Sequence, residues 1–593
     1  MQDASDALAV TAPREWREAE QHYALGRSHK SRNDLGAAEQ EYRQALRLRP
    51  EYVDALMSLG IVLRAQGQLA EAESCQREAL RLDPGSFLAL LNLGTVLSSQ
   101  SRFGEAIDCF ERAIAIDPRS ARAQGNLGTA LLRLNDLRSA WHFSEALKLD
   151  PQHFEAALGL GRSCLETGQF ERAIEALAHA KRLRPDSLES QFLFATAHYR
   201  AGHFEMARAE LERLIREHPE WPTPLVGLAS LLADLGQYSK PRALFERALA
   251  LNPDDAQVRA YFGFLLLRHG DFARGWDFYE SRSAALLRAH AIERGFAAPR
   301  WQGEPLAGKT LLITREQGFG DELMFASVLP DVLREAGHGI IECDRRLDAL
   351  FRRSFPGATV FGVDGSEAGE NRSLEHSLDK VPRFDYWIPG GSLPRFRRRS
   401  AEDFPQQRGF LRADPERIAH WKARLDCLGD GLKIGLSWRG GTAVTRASVR
   451  SLALEQLAPV LTTPSVHFVS LQYGRCDEEI DSFSSARGVS IHHWSDAIDD
   501  YDETAALVSA LDLVVSVCTA VVNLGGALNS PVWVMAPLVA DARYGWQGST
   551  MIWYPSVRVF RQPRLDAWEP VIGDVRRALR RLLKGEAAAG TSP

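Results

Sequence analysis

Small apolar residues mark the first half of the chain at fixed distances. Gly26, Gly60, Gly94, Gly128, Gly161, Ala195, Ala229 and Gly263 recur with a step of 34 residues, once 33. A second series, Ala38, Ala72, Ala106, Ala140, Ala173 and Ala207, is followed a helical stride later by Ala45, Ala79, Ala113, Ala146, Ala180 and Ala248. Residues seven apart share one helix face, and small residues there let two helices approach closely. Pro50, Pro84, Pro118, Pro151, Pro185, Pro219 and Pro253 close the units, since proline cannot continue a helix and restrains the residue before it. The pattern predicts seven helical hairpins and a partial eighth over 17–287, after a disordered N-terminus at 1–16. Pro241 stands where the seventh unit should have its alanine, which predicts a kinked or delayed second helix there.

Past Tyr279 the period stops, a linker is expected at 288–300, and short apolar runs begin to alternate with helical patterns. Lys309 to Thr314 reads as a strand, Arg315 to Gly320 as a glycine-bearing turn, Asp321 to Ala336 as a helix, and Gly339 to Cys343 as the next strand. A second series restarts with strands at Leu432 to Trp438 and Val466 to Leu471, around a helix near Leu454 to Leu461. Two doubly wound, Rossmann-like halves follow, 301–425 and 426–584, with a cleft at the carboxyl ends of their strands. A disordered tail is expected at 585–593. Leu513 to Ala540 carries no charge, yet its asparagines, proline and paired glycines favour buried strand, helix and strand over a membrane span.

Composition narrows the classes. The 593 residues exceed one core, and 45% apolar with 25% charged residues is ordinary globular chemistry. A net charge of −6 gives no footprint for nucleic acid. Seven scattered cysteines without a CxxC pair argue against disulfides and structural zinc. With no secretory leader legible, a cytoplasmic location is expected. His492-His493 has no partners at ligand spacing, so a solvated loop is preferred to a metal site. Arg395, Arg397, Arg398 and Arg399 read as a solvated linker between the two halves, and the basic helix before Lys584 as one that covers the last domain.

The 34-residue hairpin is the tetratricopeptide period. Such arrays form an α-solenoid whose concave face suits an extended peptide or a partner helix, although holding a second domain at a distance, or self-association, remains open. Family resemblance enters with the motif order Gly275-Trp276, Phe278-Tyr279-Glu280, Arg300 to Glu304, Gly308 to Leu312, Glu316 to Glu322, Gly435 to Gly441, Arg450-Ser451-Leu452, Ser470 to Gly474, Trp553-Tyr554-Pro555 and Arg561-Gln562. From about Glu20 to about Leu583 the chain resembles bacterial proteins that join tetratricopeptide repeats to a heptosyltransferase-like glycosyltransferase of GT-B fold, including transferases that modify flagellin and other proteins. The resemblance implies sugar transfer from a nucleotide-sugar donor without a required metal or cofactor, the donor held mainly by the second half.

On that reading Gly318 and Gly320 let the backbone approach a ligand, and Asp321 occupies the place of the base that deprotonates the acceptor hydroxyl. Helix capping is its plain alternative. Arg439, Arg446 and Arg450 offer cations to phosphate, with a surface ion pair as the alternative for Arg450. Trp438, Gln472 and Tyr473 lie at strand ends where donor contacts are expected, Tyr473 serving either a ring or the core. Thr519 and the following helix start fit the donor-phosphate segment, with Asn523 also on the donor side. Cys518 and Asn523 replace the aspartate and histidine common in the family, removing a carboxylate and an imidazolium. The leading expectation is a protein O-glycosyltransferase with flagellin as a candidate acceptor in the repeat groove. A catalytically impaired scaffold and a glycan-directed transferase are the alternatives.

Overall fold

The structure is a computed structural model that describes residues 14–282, 296–363, 383–404, 409–441 and 447–586. Most of the expected N-terminal tail, linker and C-terminal tail, together with Arg446, lies outside the described residues; Arg14 to Trp16 already belong to the first helix, Arg14–Ser31. Contacts divide the chain into two compact units, Met1–Leu214 and Ile215–Pro593.

The first unit is helical hairpins, from Arg14–Ser31 with Leu35–Leu48 onward. The recurrent small positions do what their spacing predicts. A Cβ on Gly94 would stand 2.6 Å from the Phe110 ring, and Ala38, Ala72, Ala106, Ala45, Ala79 and Ala113 are fully buried. Ser86, Ser120 and Ser187 cap first helices by accepting from the amide three residues on, which satisfies one otherwise unpaired donor each.

Two further hairpins, Pro222–Asp234 with Ser239–Leu251 and Ala256–Arg268 with Phe272–Tyr279, open the second unit. Pro241 falls in the first turn of its helix. There its missing N–H costs no bond, and the helix starts one residue late rather than kinking. In the last hairpin a Cβ on Gly263 would lie 2.6 Å from the Tyr279 amide nitrogen, so only glycine fits.

Two parallel α/β sheets follow. The first comprises β1 (Thr310–Thr314), β2 (His338–Asp344), β3 (Thr359–Val363) and β4 (Tyr386–Pro389), in the order β3-β2-β1-β4. The second comprises β5 (Leu432–Ser437), β6 (Val466–Ser470), β7 (Ile491–His493), β8 (Leu513–Val517), β9 (Val532–Ala536), β10 (Thr550–Met551) and β11 (Tyr554–Arg561). Its order is β10-β11-β9-β8-β5-β6-β7, parallel except for β10 against β11. Each sheet changes winding direction at a central pair, β1/β4 and β5/β8. Loops at the carboxyl ends of such pairs form the crevice in which open α/β sheets bind ligands.

Several expectations are met and others corrected. Leu513 to Ala540 is β8, the helix Ala520–Ala527 and β9, all largely buried; no helix among the described residues is long and apolar enough to cross a membrane. The helix expected from Asp321 begins earlier, at Phe319, and gives way at Ala326–Val328 to a 3₁₀ turn before resuming over Leu329–Glu335. Pro330 has no amide to offer the Ala326 carbonyl. His492-His493 lies in β7 rather than a loop.

The basic run is not a solvated linker. Arg398 is 2% exposed and donates to the Ser327 carbonyl and Asp331, while Arg395 and Arg399 pair with Asp277 of the last repeat helix. Acids distant in sequence receive these cations, and no local pattern reveals that.

Candidate functional site

β1 ends in a turn in which Gln317 adopts φ 63° and Gly318 takes the N-cap position of the helix Phe319–Phe325. Asp321 is the third residue of that helix. Its carboxylate is not a cap: it accepts from the Arg543 guanidinium. Arg543 also reaches Asp541 at 3.2 Å. Although burial opposes it, the carboxylates of Asp541 and Asp321 hold the guanidinium pKa well above its ordinary value. A tie between the two α/β halves therefore passes through the residue expected to be the base.

Beside Asp321 lies a cavity of about 150 Å³. One wall is the last hairpin, with Phe264, Leu267, Phe272, Trp276 and Tyr279. Met324 and Phe325 of the Asp321 helix form a second wall, and Asp541 to Arg543 with Trp553 close a third. Gln317 Nε2 donates to the Tyr279 hydroxyl at 2.6 Å, and burial pushes the Tyr279 phenol far up, so it stays neutral.

The hairpin is fastened to the α/β region by polar bonds. Trp276 Nε1 donates to the Arg398 carbonyl at 2.8 Å. Arg282, 6% exposed, makes two 2.7 Å bonds to Glu316. Burial pushes Glu322, the neighbour of Asp321, up to about 7, with the Arg315 cation opposing. Its carboxylate accepts from the Asp344 amide at 3.1 Å and ties the turn to the end of β2.

In the second half the loops after β5 and β8 touch. A Cβ on Gly440 would stand 2.7 Å from Thr519 Cγ2 and 3.1 Å from the Cys518 carbonyl. Gln472, 2% exposed, turns its whole amide to the chain. Its Oε1 accepts from the Trp438 and Arg439 amides at 3.0 and 2.9 Å, and Nε2 donates to the Arg439 and Tyr473 carbonyls. Gln472 thus shapes the loop rather than facing the crevice. Trp438 is fully buried, with Nε1 donating to Glu479; Arg439 is half exposed and pairs with the same Glu479. Tyr473 is 55% exposed and outside the core. Arg450 lies near enough to Cys518 to act on it, yet burial pushes that thiol up to about 12.

Thr519 precedes the helix Ala520–Ala527, and its hydroxyl meets Ser516 Oγ at 3.0 Å. Asn523 is 2% exposed, and its Nδ2 donates to the Gly320 carbonyl at 3.0 Å. Here the close approach expected of Gly320 is to the other half: a Cβ would lie 3.3 Å from Asn523 Nδ2 and 3.5 Å from Ala520. The structure therefore unites Asp321, Gly320 and Asn523 where the halves meet, and Thr519 with the β5 loop, while Trp438 and Gln472 lie beneath that loop. Arg543 and Asp541 were not legible in the sequence, because Asp-Ala-Arg-Tyr is an ordinary loop until the fold sets it against Asp321, and Trp276, Tyr279 and Trp553 stood there as motif residues without any mark that they share one cavity.

Similarity to known proteins extends over both parts. The tetratricopeptide repeat family matches residues 23–87 and 192–256, and the family described as anaphase-promoting complex, cyclosome, subunit 3 matches 99–180. Protein FlbA of Caulobacter vibrioides is 34% identical over 485 residues, spanning 74% of this chain and 80% of that protein. The chain belongs to the FlbA family. The chain is also 26% identical over 149 residues to the human mitochondrial import receptor subunit TOM70, over 24% of each chain. A crystallised tetratricopeptide repeat protein from Parabacteroides merdae aligns with 42% of this chain and 99% of its own, at 16% identity and TM-score 0.34. The FlbA relationship, unlike the repeat matches, is long enough to take in part of the α/β region.

Proposed function

We propose that this FlbA relative is a cytoplasmic, metal-independent protein O-glycosyltransferase of GT-B type. The observation that carries the reading is Asp321: a carboxylate at the carboxyl end of β1, where two doubly wound sheets meet, held by Arg543 beside a cavity. In this scheme Asp321 takes the proton of an acceptor Ser or Thr hydroxyl as its oxygen attacks the anomeric carbon of a nucleotide-sugar. The bond to the nucleotide phosphate breaks, and the phosphate leaves toward Thr519 and the helix start behind it. The repeats hold the acceptor protein, for which flagellin is the first candidate.

Intact mass of flagellin from cells with the wild-type protein, without it, and with Asp321→Asn tests this. Loss of a sugar-sized mass in both altered strains is the expected result; unchanged masses for flagellin and other repeat-bound proteins reject it.

One observation favours a second reading, a binding scaffold derived from a transferase. Cys518 is a buried neutral thiol and Asn523 is spent on Gly320, so neither supplies charge for a donor phosphate. A scaffold keeps its full cellular effect in Asp321→Asn; an enzyme loses it while still binding its partner.

A further inference from the structure

The aromatic cavity has no part in the donor scheme, and its size says so. At about 150 Å³ it falls below the roughly 300–1,000 Å³ of pockets that take drug-sized ligands, whereas one amino-acid side chain fits. Its walls are apolar and aromatic, from Phe264, Phe272 and Trp276 of the last hairpin and Trp553 of the second half. Its polar lining is the Asp321–Arg543 pair with Asp541, and Gln317 bonded to the Tyr279 hydroxyl. A repeat helix normally presents its first-helix face to a partner, and Phe264 lies on such a helix, 38% exposed, beside the cavity.

We infer that this cavity is an acceptor subsite: it takes an apolar or aromatic side chain standing next to the modified Ser or Thr, so that the hydroxyl reaches Asp321. The inference rests on the transferase reading for the identity of the hydroxyl, but the pocket itself is a statement about peptide binding. Burying a phenyl ring against these walls favours a flanked peptide over an alanine-flanked one by about tenfold or more. The neighbouring Asp321–Arg543 pair leaves no uncompensated cation, so acidic flanking residues gain nothing.

The test titrates the full-length protein with two blocked peptides, acetyl-Ala-Ser-Ala-amide and acetyl-Phe-Ser-Ala-amide, following binding by isothermal titration calorimetry. The same titrations are made on Phe264→Ala, which opens the wall at a partly exposed position, and on Ala542→Trp, which fills the cavity. A preference of about tenfold for the phenylalanine peptide that falls to near unity in both cavity variants is the expected result. Equal binding of the two peptides, or a preference unaltered in both cavity variants, overturns the subsite. Should Ala542→Trp fail to fold, Phe264→Ala alone decides. Preference without any acceptor mass change in cells keeps the subsite and rejects the transferase; a mass change without preference does the reverse.

Discussion

Arg543 serves two carboxylates, and deleting it would strand both. With Arg543→Met, Asp321 and Asp541 lose their shared cation, and because the Asp321 and Asp541 side chains are 23% and 40% exposed the loss is on the order of 1 kcal/mol. Urea unfolding measures the loss, and Asp541→Asn added to Arg543→Met is expected to restore part of it by removing the repulsion. Glu322 carries a pH signature. Because burial raises its folded pKa from 4.5 to about 7, the folded chain binds this proton more tightly than the unfolded one. Its contribution is fully present below about pH 4.5 and lost as pH rises through 7. Wild type is therefore expected to lose stability relative to Glu322→Gln over that interval, on the order of 3 kcal/mol, read as a pH-dependent gap in melting temperature. Gln472→Ala is expected to loosen the 438–439 loop, since two backbone amides and two carbonyls lose their partner. The check is faster amide exchange confined to that loop.

At the scale of elements, the last repeat hairpin behaves as part of the α/β region. Trp276 is 4% exposed, packs edge-on against Trp553 with centroids 6.2 Å apart, and donates to the Arg398 carbonyl. Trp276→Ala is expected to cost about 3–5 kcal/mol, measured by denaturant unfolding, whereas the exposed Trp141 changed to alanine alters stability little. These elements differ in how far the sequence revealed them. Hairpin spacing was legible to the residue because close helix contact leaves no room for a side chain at Gly94 or Gly263, and the demand for a small residue recurs at each period, met by Ala195 and Ala229 in two of them. β1, β2, β5, β6, β8 and β9 were legible from apolar runs, whereas β7, read as a loop, was not. The break at Ala326–Val328 was not, since Pro330 acts within a run that otherwise reads as continuous helix. Nor was the fastening of Arg395 and Arg399, whose partner Asp277 is more than a hundred residues away.

For the whole molecule, the dividing line after Leu214 separates most of the repeats from a unit that keeps two hairpins with both sheets. A chain beginning at Ile215 is expected to be soluble and to melt cooperatively. One beginning at Phe296 uncovers the faces of Phe404 and Trp553 on which Phe272 and Trp276 pack and is expected to aggregate. Expression of both, followed by size-exclusion chromatography, decides between them.

The sequence by itself determined the 34-residue period, the hairpin register and the two α/β series, because each depends on short-range spacing along one helix or at one strand end, while the nomination of Asp321 came from its place in a motif that resembles a known family. Only the tertiary structure decided what surrounds Asp321. Arg543 reaches it from the far half, and the last hairpin walls the cavity beside it. It also turned Gln472 and Asn523 inward to backbone groups. Electrostatic partners and cavity walls are set by which surfaces meet in space. Residues hundreds of positions apart carry no local mark of that meeting.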